Sequence, residues 1–132
     1  MILIDLDNLK KVNDTKGHLV GDQVLLELAK VIKASRRHYD WAGRWGGDEF
    51  MLVLPGANLV EAKEVAERMR ASYEKSQLIS GIGQLAYASM GIACNSGRPG
   101  DQVDLDKLFE WADRALYRAK ERGRSRVEVH RD

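Results

Sequence analysis

The spacing of apolar positions changes several times along the chain, and each change marks an element. Ile2–Leu6 is a short apolar run broken by Asp7-Asn8 and reads as a buried strand, although its length alone does not exclude a helix. Residues 9–16 suit a short helix closed by Gly17, and Gly21-Asp22 opens a second that runs to about Arg36. In that second helix Leu25, Leu28, Ala29 and Ile32 recur at i, i+3, i+4 and i+7 and share a face. Residues 39–44 read as a strand, and residues 50–54, apolar on both faces, as its returning partner stopped by Pro55-Gly56. Gly46-Gly47-Asp48 between them is a turn in which the glycines supply positive φ angles. Asn58 and Glu61 form a capping box ahead of a helix with Ala62, Val65, Ala66, Met69 and Tyr73 as its buried stripe. Residues 80–83 are a flexible connection, and residues 85–94 a strand with Ala86, Ala88, Met90, Ile92 and Cys94 on one face. After a loop at 95–101, a last helix over about 105–122 is lined by Leu105, Leu108, Ala112, Ala115, Leu116 and Ala119, ends at Gly123, and gives way to a strand over 126–130. The order β-α-α-β-β-α-β-α-β predicts an α+β fold, a mainly antiparallel sheet flanked by helices.

Composition narrows the classes. A length of 132 residues suits one domain, and 31% charged with 44% hydrophobic residues excludes a disordered tail. Twenty-one basic against 20 acidic side chains leave a net charge of +1, which argues against DNA or RNA as a main partner. The single Cys94 suits a reducing cytoplasm and, on an apolar strand face, reads as core. No stretch approaches the roughly 20 apolar residues of a membrane span, and no signal peptide precedes the first strand. The expectation is a cytoplasmic domain with no membrane contact of its own. It begins abruptly inside a core strand.

Carboxylates concentrate at three places. Asp5-Leu6-Asp7 ends the first strand; side chains at i and i+2 share a face, so the pair either converges on one site or one aspartate meets water at the strand end. Gly46-Gly47-Asp48-Glu49-Phe50 sets two acids beside glycines that let a phosphate or base approach the backbone. Acids there could hold Mg²⁺, which takes one or two carboxylates plus substrate phosphates; a plain hairpin tip is the other reading. Asn13 and Asp22, across a glycine-bounded turn, could face one cleft and suit a guanine edge, or serve as turn residue and helix cap. Seven Lys or Arg and two Glu lie between Arg114 and Arg131. Among them Lys120 and Arg124 either complement a helix dipole or clamp phosphates beside a metal.

Residues 46–50 spell a signature, and with the blocks around it the chain resembles the GGDEF domain of diguanylate cyclases. Ile4-Asp5-Leu6-Asp7, residues 10–18 and Gly21-Asp22 are similar to the family's first block. Ser89-Met90-Gly91-Ile92-Ala93 is similar to its SxG strand. Ala112-Asp113, Ala115-Leu116-Tyr117, Ala119-Lys120 and Gly123-Arg124 are similar to its last block. The match runs from about Ile2 to Val129. It implies a nucleotide-cyclase or polymerase-palm (ferredoxin-like) architecture, and a single domain over 1–132 that lacks the family's N-terminal lead-in helix.

The resemblance also implies an activity: a nucleotidyltransferase that joins two GTP into cyclic di-GMP and releases two pyrophosphates, in bacterial second-messenger signalling. It makes Asp5, Asp48 and the Leu6 carbonyl metal ligands, and Glu49 a further acid for the metal or for 3′-OH deprotonation, with Mg²⁺ or Mn²⁺ as cofactor. It has Asn13 and Asp22 read guanine, Gly46 and Gly47 lie against GTP, and Lys120 and Arg124 contact its phosphates. A two-fold product implies a homodimer, one GTP to each domain. Arg37-His38-Tyr39-Asp40, with five residues before Gly46, is similar to the family's RxxD site for inhibition by cyclic di-GMP, with Arg68 as a second arginine. From the residues alone, an Arg-Asp surface pair is the other reading. An upstream sensor or regulatory domain is the implied partner. A non-catalytic module that binds GTP or cyclic di-GMP and regulates a neighbour is the alternative function.

Overall fold

The computed structural model describes residues 1–95 and 97–131. The first strand, β1 (Ile2–Leu6), is the middle strand of a five-stranded sheet with order β2-β3-β1-β4-β5. Its neighbours are β3 (Glu49–Val53) and β4 (Ala88–Ile92), both antiparallel to it. The hairpin partner β2 (Trp41–Arg44) forms one edge, and β5 (Val127–Val129), parallel to β4, the other. The α+β class with a mainly antiparallel sheet therefore holds.

A central strand must be apolar on both faces, and β1 is. Ile2, Ile4 and Leu6 enter the larger core with Phe50, Leu52, Met90 and Ile92. That core is closed by the helices α1 (Leu9–Lys16), α2 (His18–Ser35) and α3 (Leu59–Lys75), through Val12, Val24, Leu28, Ile32, Ala66, Met69 and Tyr73. Leu3 faces the other way, with Met51 and Ala93, beneath Leu108, Ala112 and Leu116 of α5 (Leu105–Glu121). At about 1.5–3 kcal/mol for each large side chain fully removed from water, these two layers are the main stabilising term.

Several sequence expectations shift, each for a local reason. Helix α2 starts at His18, not at Gly21-Asp22, so Asp22 is inside the helix and caps nothing. Gly17, at φ 91, ends α1 and lets the chain re-enter a helix at once. Gly21 instead marks a close approach: a β-carbon there would fall 1.7 Å from Asn13 Oδ1. Residues 80–83 are not a flexible connection; α4 (Gln77–Ile82) is capped by Ser76 and buries Ile79. Gln84–Ala86 forms a 3₁₀ turn, so β4 begins at Ala88 rather than at 85. Ser89 and Gly91 are buried as well, so β4 is covered on both faces rather than one. Leu105 is exposed, not core. The capping box is present: Asn58 Oδ1 accepts from Glu61 N–H and Glu61 accepts from Asn58 N–H.

Candidate active site

Antiparallel pairing brings the polar exit of β1 beside the start of β3 and the start of β4. Asp5 lies opposite Glu49 on one side and Ser89 on the other. The 45–48 turn bends over this end of the sheet, with Leu6 N–H donating to the Asp48 carbonyl at 3.2 Å. Arg44 holds the turn from inside, its guanidinium donating to the carbonyls of Gly46 and Gly47. Neither Gly46 nor Gly47 has a positive φ, which corrects the reason given for them. Gly46 makes room for a carboxylate instead: a β-carbon on it would lie 3.0 Å from Glu49 Oε2. Gly47 is open to whatever approaches.

Asp5, Asp48 and Glu49 are thus gathered at one sheet end. Burial pushes the Asp5 carboxyl up to about 6; Lys120 pulls it down, and Asp48 and Glu49 push it up again. Its Oδ1 is buried and has no hydrogen-bond partner, while Oδ2 is 3.3 Å from Lys120 Nζ. The Lys120 ammonium also donates to the Leu6 carbonyl at 3.1 Å and to Asp7 Oδ1 at 2.8 Å. A cationic group therefore already rests on two of the expected metal-binding positions, Asp5 and the Leu6 carbonyl. Among the described residues no three acidic, histidine or cysteine side chains are close enough to hold an ion by themselves. The donor set still fits Mg²⁺, which takes few protein carboxylates and completes its shell with water and phosphate oxygens. The orphaned Asp5 oxygen is the observation that favours a cation there.

Asp7 answers the question its spacing left open. It shares the Lys120 ammonium with Asp5, but its own side chain is buried and fully bonded, accepting from Ser89 Oγ at 2.6 Å and from Ser125 N–H at 2.9 Å. Sequence reasoning weighed Asp7 only as half of a pair with Asp5, and passed over Ser89 and Ser125 as its partners. The available signal was Ser89 itself, a hydroxyl in a strand otherwise buried and apolar, which needs a partner.

Asn13 lies on α1 against Gly21, so its side-chain oxygen is next to the turn of α2 that carries Asp22. Asp22 stands at one end of a cavity of about 600 Å³ between α2 and β2, walled by Leu25, Ala29, Trp41 and Phe50 and carrying Lys33, Arg36 and Arg44. Leu25 and Ala29 share a helix face with the buried Leu28 and Ile32, and they both pack against the core and line this space. Arg124 borders a separate, smaller cavity with Asn8 and Lys11. There the N-terminus of α1 has no side-chain cap, leaving N–H groups free beside two cations.

The RxxD pair is more than a surface ion pair. The Asp40 side chain is buried, and both its oxygens accept from Arg37 Nε; Arg37 Nη2 and the Arg37 backbone N–H add bonds at 2.9 and 2.8 Å. Burial pushes Asp40 up, but the Arg37 hydrogen bonds and charge outweigh it and hold the carboxyl below its ordinary value. Arg37 also lies 4.5 Å over the Tyr39 ring and donates to the Pro55 carbonyl. Arg68 borders a different space, between α2 and α3, with Glu27, Lys30 and Lys75.

The model of the diguanylate cyclase GGDEF domain family matches residues 1–126. The chain belongs to the GGDEF domain family. This GGDEF domain is 40% identical over 131 residues to the diguanylate cyclase DosC of Escherichia coli, covering 98% of the chain and 28% of DosC. It is 42% identical over 127 residues to the E. coli diguanylate cyclase DgcM, covering 96% of the chain and 30% of DgcM. The chain thus spans less than a third of these curated relatives. Among solved structures, the GGEEF domain of a Vibrio cholerae diguanylate cyclase superposes with a TM-score of 0.84 at 32% identity, covering 99% of this chain and 81% of that one. The palm-like architecture follows from such neighbours. No helix of the described residues of this GGDEF domain is long and apolar enough to cross a membrane.

Proposed function

We propose that this domain condenses two GTP molecules into cyclic di-GMP with loss of two pyrophosphates. The observation that carries the reading is Asp5: a carboxylate oxygen buried and unpartnered at the sheet end, beside Asp48 on the turn and Glu49 at the start of β3. Asp5, the Leu6 carbonyl, Asp48 and Glu49 would hold Mg²⁺ or Mn²⁺. When bound, the metal would offset charge on the transferred phosphate and favour loss of the 3′-OH proton.

The chain's own residues supply the rest. Asp22 and Asn13 would read the donor edge of guanine, and the apolar cavity walls beside Asp22 suit a flat base. Lys120 would exchange its bonds to Asp5 and Leu6 for a phosphate, and Arg124, with the free N–H groups of α1, would take another. Glu49, lying over Gly46, would accept the 3′-hydroxyl proton or help hold the metal. One domain brings one GTP, so a second copy must present the other 3′-OH. Proximity then comes from dimerisation, and the dimer is where control can act. For feedback inhibition, cyclic di-GMP would have to compete with Asp40 for Arg37, since the pair is closed on itself. The larger size of the relatives is consistent with an upstream sensor in the whole protein.

The test is incubation of the protein with GTP and Mg²⁺ and detection of cyclic di-GMP by mass. Product supports the cyclase. GTP or cyclic di-GMP bound by a dimer that makes no product favours the regulatory module instead.

A further inference from the structure

We propose that Asp7 and Arg70 are positioning residues for the phosphate-binding segment that carries Lys120 and Arg124; the inference rests on the cyclase reading of that segment. Past the end of α5 the chain turns through Gly123 at φ 113, then Arg124 at φ 64 and Ser125 at φ 50. Two consecutive residues with β-carbons in left-handed backbone are disfavoured by contact with the following carbonyl, and they persist only where their surroundings hold them.

The surroundings here are specific. Asp7 Oδ2 accepts the Ser125 N–H at 2.9 Å, and Arg70 Nη1 donates to the Ser125 carbonyl at 3.2 Å. The same peptide segment is thus tied on one side to Asp7, just past the end of β1, and on the other to α3. Both anchors are themselves fixed. Ser89 Oγ donates to Asp7 Oδ1, and Arg70 is gripped by Glu67 and Glu74 one turn to either side. Asp7 Oδ1 also takes Lys120 at 2.8 Å. One buried carboxylate therefore sets the ammonium of Lys120 and the backbone that orients Arg124 together. Neither Asp7 nor Arg70 need touch the nucleotide to do this. Arg70 stands two residues from Arg68 on α3, which places the second anchor on the helix that also carries an expected inhibitory-site arginine.

A purely structural staple would lower stability yet leave the binding of folded molecules unchanged, so the experiment separates the two halves of the nucleotide. Asp7→Asn keeps the shape but leaves one neutral acceptor oxygen where two charged ones held Ser125 N–H on one side and Ser89 and Lys120 on the other, so both sides cannot be held at once; Arg70→Gln shortens the side chain that donates to the Ser125 carbonyl, from a partly exposed position. Tripolyphosphate and guanosine are titrated separately into the wild type and both variants by NMR, with folding checked in the same spectra. Tripolyphosphate affinity is expected to fall about tenfold in Asp7→Asn and by a smaller factor in Arg70→Gln, because small misplacements of binding groups are amplified. Guanosine affinity stays at the wild-type level, and the Ser125 amide exchanges faster in Asp7→Asn. Folded variants that bind tripolyphosphate as the wild type does overturn the proposal. If Asp7→Asn does not fold, Arg70→Gln decides alone. A wild type that binds neither tripolyphosphate, guanosine nor GTP removes the cyclase reading and this inference with it. Normal wild-type binding with unaltered variants removes only the positioning role.

Discussion

Asp5 is kept where its charge is costly. Its carboxyl is raised from an ordinary 3.8 to about 6, first by burial. A raised folded value means that the native state binds the proton more tightly than the unfolded chain. The stabilising contribution is therefore present below pH 3.8 and lost as pH rises through about 6. Asp5→Asn, a neutral isostere, is expected to be more stable than the wild type at pH 8 by about 2 kcal/mol, with the gap closing toward pH 4. Denaturant melts at the two pH values check it; a gap independent of pH would contradict the charge argument. The same substitution should abolish synthesis. Asp48→Ala and Glu49→Ala should also abolish it with melting temperatures near wild type, since Asp48 sits on the turn and Glu49 at the first position of β3, and neither is fully buried. Unfolding of either would make them structural. At this scale the residues alone left Asp5 as a strand end meeting water and Asp48-Glu49 as a plain hairpin tip among their readings, and it was the resemblance to a signature that singled the three acids out. The role of Asp7 was not legible, because its partners Ser89 and Ser125 are far along the chain and only the fold brings them together.

Elements place these residues by contact at short range. Gly91 lets α5 lie directly on β4: a β-carbon there would fall 2.3 Å from the Ala112 carbonyl oxygen and the Leu116 nitrogen. Gly91→Ala is expected to cost about 3 kcal/mol by overpacking against backbone that cannot move aside, measured by denaturant unfolding. Little change would show that α5 can shift. The α2–β2 connection carries the closed Arg37–Asp40 pair. Because the Asp40 carboxyl is held low, its contribution is present above an ordinary value of 3.8 and lost as pH falls below it. Arg37→Ala should relieve inhibition by cyclic di-GMP, seen as undiminished late-stage rates, and should also destabilise the fold by leaving Asp40 buried without its partner. Inhibition unchanged by the substitution would count against the RxxD reading. Helix faces and the capping box could be read from periodicity, whereas α4 and the early start of α2 could not. Short helices give too few repeats, and a glycine used for close approach looks in sequence like one used to break a helix.

At the scale of the molecule, strand order decides the chemistry. The short glycine turn predicts β2 and β3 as neighbours, but nothing local shows that β1 lies between β3 and β4. That placement sets Asp5 opposite Glu49 and brings Lys120 across from the far end of the chain. The sheet end so formed sets acids around the Lys120 ammonium, with an apolar cavity beside Asp22, which on the proposed reading is half of what joining two nucleotides requires. On the proposed cyclase reading, a second copy would supply the other half. The most direct measurement is the initial rate of cyclic di-GMP formation from GTP and Mg²⁺ over a range of protein concentrations. Product whose rate rises more steeply than the first power of protein at low concentration is the predicted result. A folded, GTP-binding, dimeric protein that forms no cyclic di-GMP at any concentration would contradict it.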